Sequence, residues 1–480
     1  MAGVSGSGRR QRFPGRGDRS GQGGTALGDP ARRVALDVLL AVSDRDAYAN
    51  LLLPQLLAQR ELGGKDAALA TELSYGTLRG RGTYDAVLTI CSDRDLGSLD
   101  PAVREVLRLG THQLLATRIR PHAAVATSVN LVKDVVGQRP AGFVNAVLRR
   151  VATRDIDSWL EIAAPARELD LVGHLAVRYS HPRWIIEAFA AALGETTDGE
   201  MAQTEAALAA GAERPIVHLC AVPGLADRDE IVSAGATPAR WSPFGAYLPD
   251  GDPAAISAVA EGRAGVQDEA SQLAAMALAA VSIDGADDRW LDLCAGPGGK
   301  ARLLAGLAAG TGSRLLAAEL REHRARLVRS AVRPAGSAGV VVADGTRPAW
   351  RASSFDRVIA DVPCSGLGAL RRRPEARWRR TPADVQALGG LQRRLLSAAL
   401  DSARPDGAVA YVTCSPHPAE TADVVADVLT ARPGVEVLDA PAALPDVPGI
   451  RSGPGGRYAQ FWPHVHGTDA MFVALLRPGR

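Results

Sequence analysis

Cys364 and Cys414 each sit in a short segment that reads as an active-site loop: Ala360-Asp361-Val362-Pro363-Cys364-Ser365 and Tyr411-Val412-Thr413-Cys414-Ser415-Pro416. Upstream, Leu291-Asp292-Leu293-Cys294-Ala295-Gly296-Pro297-Gly298-Gly299-Lys300 has the glycines of a loop that lets backbone N–H groups come close to a ligand. The chain has only five cysteines, at 91, 220, 294, 364 and 414. Two thiols beside a nucleotide-like cofactor loop point to covalent chemistry on an electron-poor carbon.

One reaction of that kind takes place on a pyrimidine. Carbon 5 is a poor nucleophile, but a thiolate added at carbon 6 gives an enamine whose carbon 5 can attack a methyl sulfonium. Such a site needs a low-pKa thiol, a donor to the ring nitrogen or carbonyl, and a second group that aids release. Cys414, Asp361 and Cys364 are the candidates for these roles. Cys91 and Cys220 read as small buried hydrophobes, and Cys294 as packing beneath the loop.

The loop is not a phosphate loop of the Gly-x-x-x-x-Gly-Lys-Ser/Thr type. Cys294 stands at the leading position, and Ala301 follows Lys300 where a metal-binding hydroxyl is required. The acids Glu319, Asp344 and Asp361 each end a successive strand-like run, which suits an adenosyl ligand; each could instead cap a following helix. Only three of the 55 basic residues are lysines (65, 133 and 300), so an ammonium kept inside the loop suggests that a guanidinium will not serve there.

These segments need a scaffold. From about residue 264, apolar runs at Trp290–Leu293, Arg314–Ala318, Gly339–Ala343, Arg357–Ala360 and Ala408–Thr413 alternate with helical stretches at 299–309, 321–332 and 391–403. That alternation predicts an α/β fold: a mainly parallel sheet with helices on both faces and ligands outside the strands' carboxyl ends. Residues 31–165 show helical periodicity, with Val34, Val38 and Leu39, then Leu51, Leu52, Leu53 and Leu56, then Val103, Val106, Leu107 and Leu114. Asp100-Pro101 opens one of these helices. Residues 166–263 read as a mixed α+β connector, with a helix near Pro182–Leu193 and a strand near Ile216–Leu219. Residues 1–30 are rich in Gly, Ser and Arg, and are expected to be a disordered arm.

At 480 residues there is room for several domains. No apolar run is long enough to span a bilayer, and the N-terminus lacks the apolar core of a secretory signal. Few, scattered cysteines without a Cys-x-x-Cys pair argue against a disulfide framework or a zinc site, and fit a reducing cytoplasm. A metal site built on Cys414 and His417 lacks a further ligand pair. The net charge of +2 carries little information, but residues 1–30 hold five arginines and residues 371–380 hold six. Either patch is a polyanion footprint or a solvated face.

Asp292–Lys300, Asp361-Val362-Pro363-Cys364-Ser365-Gly366-Leu367-Gly368, Thr413-Cys414-Ser415 and Val266–Gln272 closely resemble the RNA (cytosine-5)-methyltransferase family. The resemblance implies a Rossmann-like methyltransferase domain over 264–480 that uses S-adenosylmethionine. It implies that Cys294, Ala295, Gly296, Pro297, Gly298, Gly299, Lys300, Glu319, Asp344 and Asp361 bind that cofactor. It implies Cys414 as the nucleophile at carbon 6 and Cys364 as the helper in adduct breakdown. Residues 31–150 resemble a NusB-like all-α RNA-binding domain, and the fusion is similar to bacterial 16S rRNA enzymes of the RsmB (Sun/Fmu) type. Glu319 replaces the commoner Asp, Ala295-Gly296 the usual Ala-Ala or Ala-Ser, and Ala470 a frequent glycine; none of these removes a reacting group.

The implied partner is RNA, with rRNA foremost and a monomeric enzyme as the default. A target cytosine must be unpaired or flipped to reach the site. The loop 371–378 resembles the family's basic substrate loop, so Arg371, Arg372 and Arg377 are expected on the RNA backbone. Trp378 is expected either as a stacking platform or as a core anchor. Competing readings are the same chemistry on tRNA or 23S rRNA, and a non-catalytic NusB-like RNA-binding factor; intact Cys364, Cys414, Asp361 and Lys300 weigh against the latter.

Overall fold

Neighbouring residues along the strands of the C-terminal half bury into different cores, which makes both faces of this sheet apolar and requires cover on each. Trp290, Ile359, Ala410, Val412 and Val473 pack with helix residues Leu273, Leu303 and Val328. Leu291, Val358, Ala360, Tyr411 and Phe472 pack with Leu395, Leu396 and Val424 on the other side. The computed structural model describes residues 29–479. The expected arm at 1–30 lies almost wholly outside the described residues.

A small antiparallel sheet comes first in the chain, formed by β1 (Val217–Ala221), β2 (Thr237–Pro238), β3 (Gly245–Leu248) and β4 (Ala264–Val266) in the order β2-β3-β1-β4. The large sheet contains β5 (Arg289–Asp292), β6 (Arg314–Glu319), β7 (Ala338–Val342), β8 (Phe355–Asp361), β9 (Ala403–Thr413), β10 (Glu436–Val437), β11 (Arg451–Ser452), β12 (Tyr458–Gln460) and β13 (Phe472–Arg477). Its order is β11-β12-β13-β9-β8-β5-β6-β7, with β10 pairing β13. The five strands β5 to β9 run parallel, and β13 lies antiparallel to β9 with Phe472 opposite Thr413. All five parallel strands were legible from their apolar runs; the antiparallel edge from β10 to β13 was not.

Helices Glu269–Ala280, Gly299–Gly310 and Glu322–Val332 cover one face, and Pro382–Ser402 and Ala422–Ala431 the other. The helix expected at 391–403 begins earlier, at Pro382. Thr381 caps it, and its side chain and that of Asp384 each accept from the other's backbone N–H.

Residues 30–163 form eight helices and one short 3₁₀ turn around a single core. Asp100 accepts from Ala102 N at 2.8 Å, and Pro101 follows it in the first turn, as the sequence indicates. Val34, Val38, Leu39, Val103, Val106 and Leu107 are buried. The leucine run of the second helix behaves differently: Leu53 is buried, whereas Leu51 is 60% exposed. Consecutive leucines cannot all face one side of a helix.

Candidate functional site

Five parallel strands deliver polar side chains to one end of the sheet. Asp292 ends β5, Glu319 ends β6 and Asp361 ends β8; Asp344 lies two residues past β7, and Cys414 directly follows β9. Strand order β9-β8-β5-β6-β7 sets the two cysteine loops side by side and places the three remaining acids in a row beyond them.

The sulfurs of Cys364 and Cys414 lie 3.3 Å apart. The thiol of Cys364, donated to Cys414, holds the Cys414 thiol below its ordinary range against the opposing effect of burial, and Lys300 and Arg373 help. Cys364 is held well above its ordinary range by that same bond, by burial and by the charges of Cys414 and Glu420. The pair is therefore unequal, with the thiol at 414 made the more acidic and the thiol at 364 the less. Lys300, almost fully buried, donates to Asp361 at 2.8 Å, and this attraction outweighs burial to keep its ammonium. Asp361 accepts from Lys300 and so offers acceptor oxygens at the place where the sequence suggested a donor.

The cofactor loop is shaped by close approaches. A Cβ on Gly296 would lie 2.0 Å from Glu319 Oε2, and one on Gly298, at φ +115°, would lie 2.8 Å from Ala331 Cβ. Glu319 is buried, and its Oε1 accepts from Arg321 N at 2.9 Å. Asp344 is exposed and accepts from Thr346 N and Oγ1, bonds that hold its carboxyl below the ordinary range. Cys294 is half-buried against the core beneath the loop, its thiol raised by burial.

Sequence reasoning missed Asp292 as a functional candidate. It is fully buried, Oδ1 accepts from Cys294 N at 3.3 Å, and Oδ2 has no hydrogen-bond partner among the described residues. Burial, with Asp361 nearby, pushes its carboxyl up to about 7. An orphaned buried oxygen is a costly feature that a cationic ligand group would relieve. Its place at a strand's carboxyl end, between two acids already singled out, was the available signal. The residues present thus fit S-adenosylmethionine: buried acids for an ammonium and a diol, and a glycine cradle for its backbone-facing side.

The arginine loop departs from expectation. Arg371 and Arg372 both bridge Asp268 and Asp469, with contacts of 2.7–3.1 Å, and Arg371 is almost fully buried. Arg377 has no exposed surface and donates to the carbonyls of Arg79, Ser180 and Gly211. Burial, with Arg79 near, depresses it to about 9. Arg379 donates to the carbonyls of Val42, Asp46 and Ala47 at the end of the first helix. Trp378 packs over Gly82, where a Cβ would lie 2.6 Å from its ring, with the Arg81 guanidinium 5.6 Å from its centroid. Arg371 and Arg377 thus turn to protein partners and not outward as an RNA-backbone role requires, while Arg372 and Trp378, each partly exposed, also pack against protein groups. These side chains clasp the helical region, the connector and the sheet domain together, and sequence composition cannot tell an inward arginine from an outward one. Of the loop's six arginines, Arg373 is exposed and, among the described residues, makes no side-chain hydrogen bond or ion pair.

Residues 280–477 match the family model described as 16S rRNA methyltransferase RsmB/F, and residues 29–153 match that of the NusB family. A small-subunit rRNA methyltransferase B of Pseudomonas syringae is 31% identical across 93% of this chain and 96% of its own length. The chain belongs to the RsmB/F methyltransferase family. It is an S-adenosylmethionine-dependent RNA cytosine methyltransferase with an N-terminal NusB region. A Mycobacterium tuberculosis protein named as a methyltransferase, with no substrate in its name, is 53% identical across 94% of this chain and 96% of its own. The fold matches the crystal structure of PH0851, with TM-score 0.75 at 20% identity, over 94% of this chain and 99% of that one. Among the described residues no helix is long and apolar enough to cross a membrane.

Proposed function

We propose that this family member methylates carbon 5 of a cytosine in 16S rRNA, with Cys414 as nucleophile and Cys364 as its helper. The observation that carries the chemistry is the sulfur pair at 3.3 Å beside the Lys300–Asp361 ion pair. The 16S reading is supported by the NusB region fused to the RsmB/F region and by relatives named for the small subunit.

The Cys414 sulfur adds to carbon 6 as the carbon 5–carbon 6 double bond opens, making carbon 5 nucleophilic. Asp361, held by Lys300, accepts from the cytosine's exocyclic amino group, a contact that uracil does not offer. S-adenosylmethionine, when bound, supplies a methyl group on an electrophilic sulfonium. Asp292, Glu319, Asp344 and the 294–300 loop would hold it. With the methyl on carbon 5, the carbon 5 proton leaves to a base and the sulfur–carbon 6 bond breaks. Cys364 donates its thiol hydrogen to the departing Cys414 sulfur, which eases that cleavage. Arg373, exposed and, among the described residues, without a side-chain hydrogen bond or ion pair, meets a phosphate near the target nucleotide.

The test incubates the protein with labelled S-adenosylmethionine and deproteinised small-subunit rRNA. Wild type should place label on cytosine carbon 5, Cys414→Ala should be inert, and Cys364→Ala should accumulate a protein–RNA adduct. Transfer to tRNA but not to rRNA would overturn the substrate and leave the chemistry. Transfer by Cys414→Ala would overturn the assignment of the nucleophile.

A further inference from the structure

Glu420 lies six residues beyond Cys414, at the end of the short turn Pro418–Glu420, and has no exposed surface. Among the described residues it forms no ion pair. Its Oε1 accepts from Ser365 N at 2.7 Å and from Gln392 Nε2 at 3.1 Å, and its Oε2 accepts from the Ser365 hydroxyl. The same Gln392 amide donates to Pro363 O at 3.0 Å. Both neighbours of Cys364 are thus gripped from one point.

The network reaches Cys414 as well. Ser365 Oγ lies 3.2 Å from Ser415 Oγ, and Ser415 directly follows Cys414. The Glu420 carbonyl accepts from the Tyr411 hydroxyl at 2.8 Å, fastening the turn to β9, which carries Cys414 at its end. Gly368 N donates to Cys414 O at 2.9 Å, closing the circuit between the two loops. A buried carboxylate without a cation is expensive to keep, and such groups persist where fully satisfied hydrogen bonding fixes a geometry.

We propose that Glu420 is a positioning residue for methyl transfer: through Ser365, Gln392 and Ser415 it sets the Cys364 thiol against the Cys414 sulfur. It touches neither RNA nor cofactor. Its negative charge also favours the protonated form of Cys364, so that Cys364 remains the donor and Cys414 the nucleophile. The proposal rests on the reading of these two cysteines as the reacting pair.

Glu420→Gln tests it. A glutamine keeps one acceptor but turns an amide toward donors that now have no oxygen to meet. The expected result is a fall in kcat of roughly a hundredfold, the scale of a misplacement of about 1 Å. KM for RNA and for S-adenosylmethionine should stay within about twofold, because neither ligand loses a contact. Iodoacetamide labelling of the RNA-free protein, resolved by mass spectrometry, supplies a readout that a merely structural role would not move. The pH profile of Cys364 should shift to lower pH in Glu420→Gln and return toward wild type in Glu420→Asp, which restores the charge. If Glu420→Gln does not fold, Ser365→Ala replaces it, removing one bond and the link to Ser415, with the same kcat-against-KM criterion. Wild-type kcat together with an unmoved Cys364 profile in a folded variant overturns the proposal. Failure of the cysteine reading itself is distinguishable, since methyl transfer would then survive Cys414→Ala.

Discussion

If Asp292 meets the cofactor's ammonium as proposed, it should couple cofactor binding to pH through a cost built into the fold. A free aspartate titrates at about 3.9, whereas in the fold Asp292 is pushed up to about 7 by burial and by Asp361. Across that interval the unfolded chain gives up its proton while the fold retains it. Ionisation therefore costs stability by about 1.4 kcal/mol per pH unit, up to roughly 4 kcal/mol above pH 7. Below about pH 4 both states hold the proton and the cost vanishes. Asp292→Asn keeps the Oδ1 acceptor used by Cys294 N and removes the charge. It should stabilise the cofactor-free protein by roughly 2–4 kcal/mol at pH 8 and leave it unchanged at pH 4, as read from urea unfolding midpoints. On the proposed reading, binding of the cofactor's ammonium would require the ionised form. Wild-type affinity for S-adenosylmethionine, measured by calorimetry, should therefore weaken about tenfold per pH unit below about pH 7. The variant should bind weakly and without that slope. A variant less stable than wild type at pH 8, or wild-type affinity flat from pH 5.5 to 8, would refute the reasoning.

Three further predictions address the arginine loop and the cysteine geometry. Arg373→Gln should lower the slope of log affinity for RNA against log salt by about one phosphate contact, about 0.7 for a single strand, with unchanged stability. Arg377→Met should leave that slope alone and lower stability by roughly 2–4 kcal/mol, because three carbonyls lose their donor; the reverse pattern would return Arg377 to the RNA. Gly368→Ala would place a Cβ 1.7 Å from Ala470 O and 2.9 Å from Cys414 O. It should cost at least about 3 kcal/mol or abolish methyl transfer, and a stable, fully active variant would show that this approach is not required.

The sequence alone determined the sheet's parallel core and its chemistry, because both are written locally. Apolar runs between helical stretches mark β5 to β9, and the short motifs around Cys294, Cys364 and Cys414 fall at strand ends whatever the wider packing. Residue type and spacing suffice there, since the strand order need only bring carboxyl ends together. Only the tertiary structure decided which way the arginines point. Arg371, Arg372 and Arg377 find buried acids and carbonyls contributed by residues 79, 180, 211, 268 and 469, partners too distant in the chain for any local pattern to reveal. The same holds for Glu420 and Asp292. One is a carboxylate among donors and the other a carboxylate with an orphaned oxygen, and each gains its meaning from burial, which comes from long-range packing and not from the residues beside it.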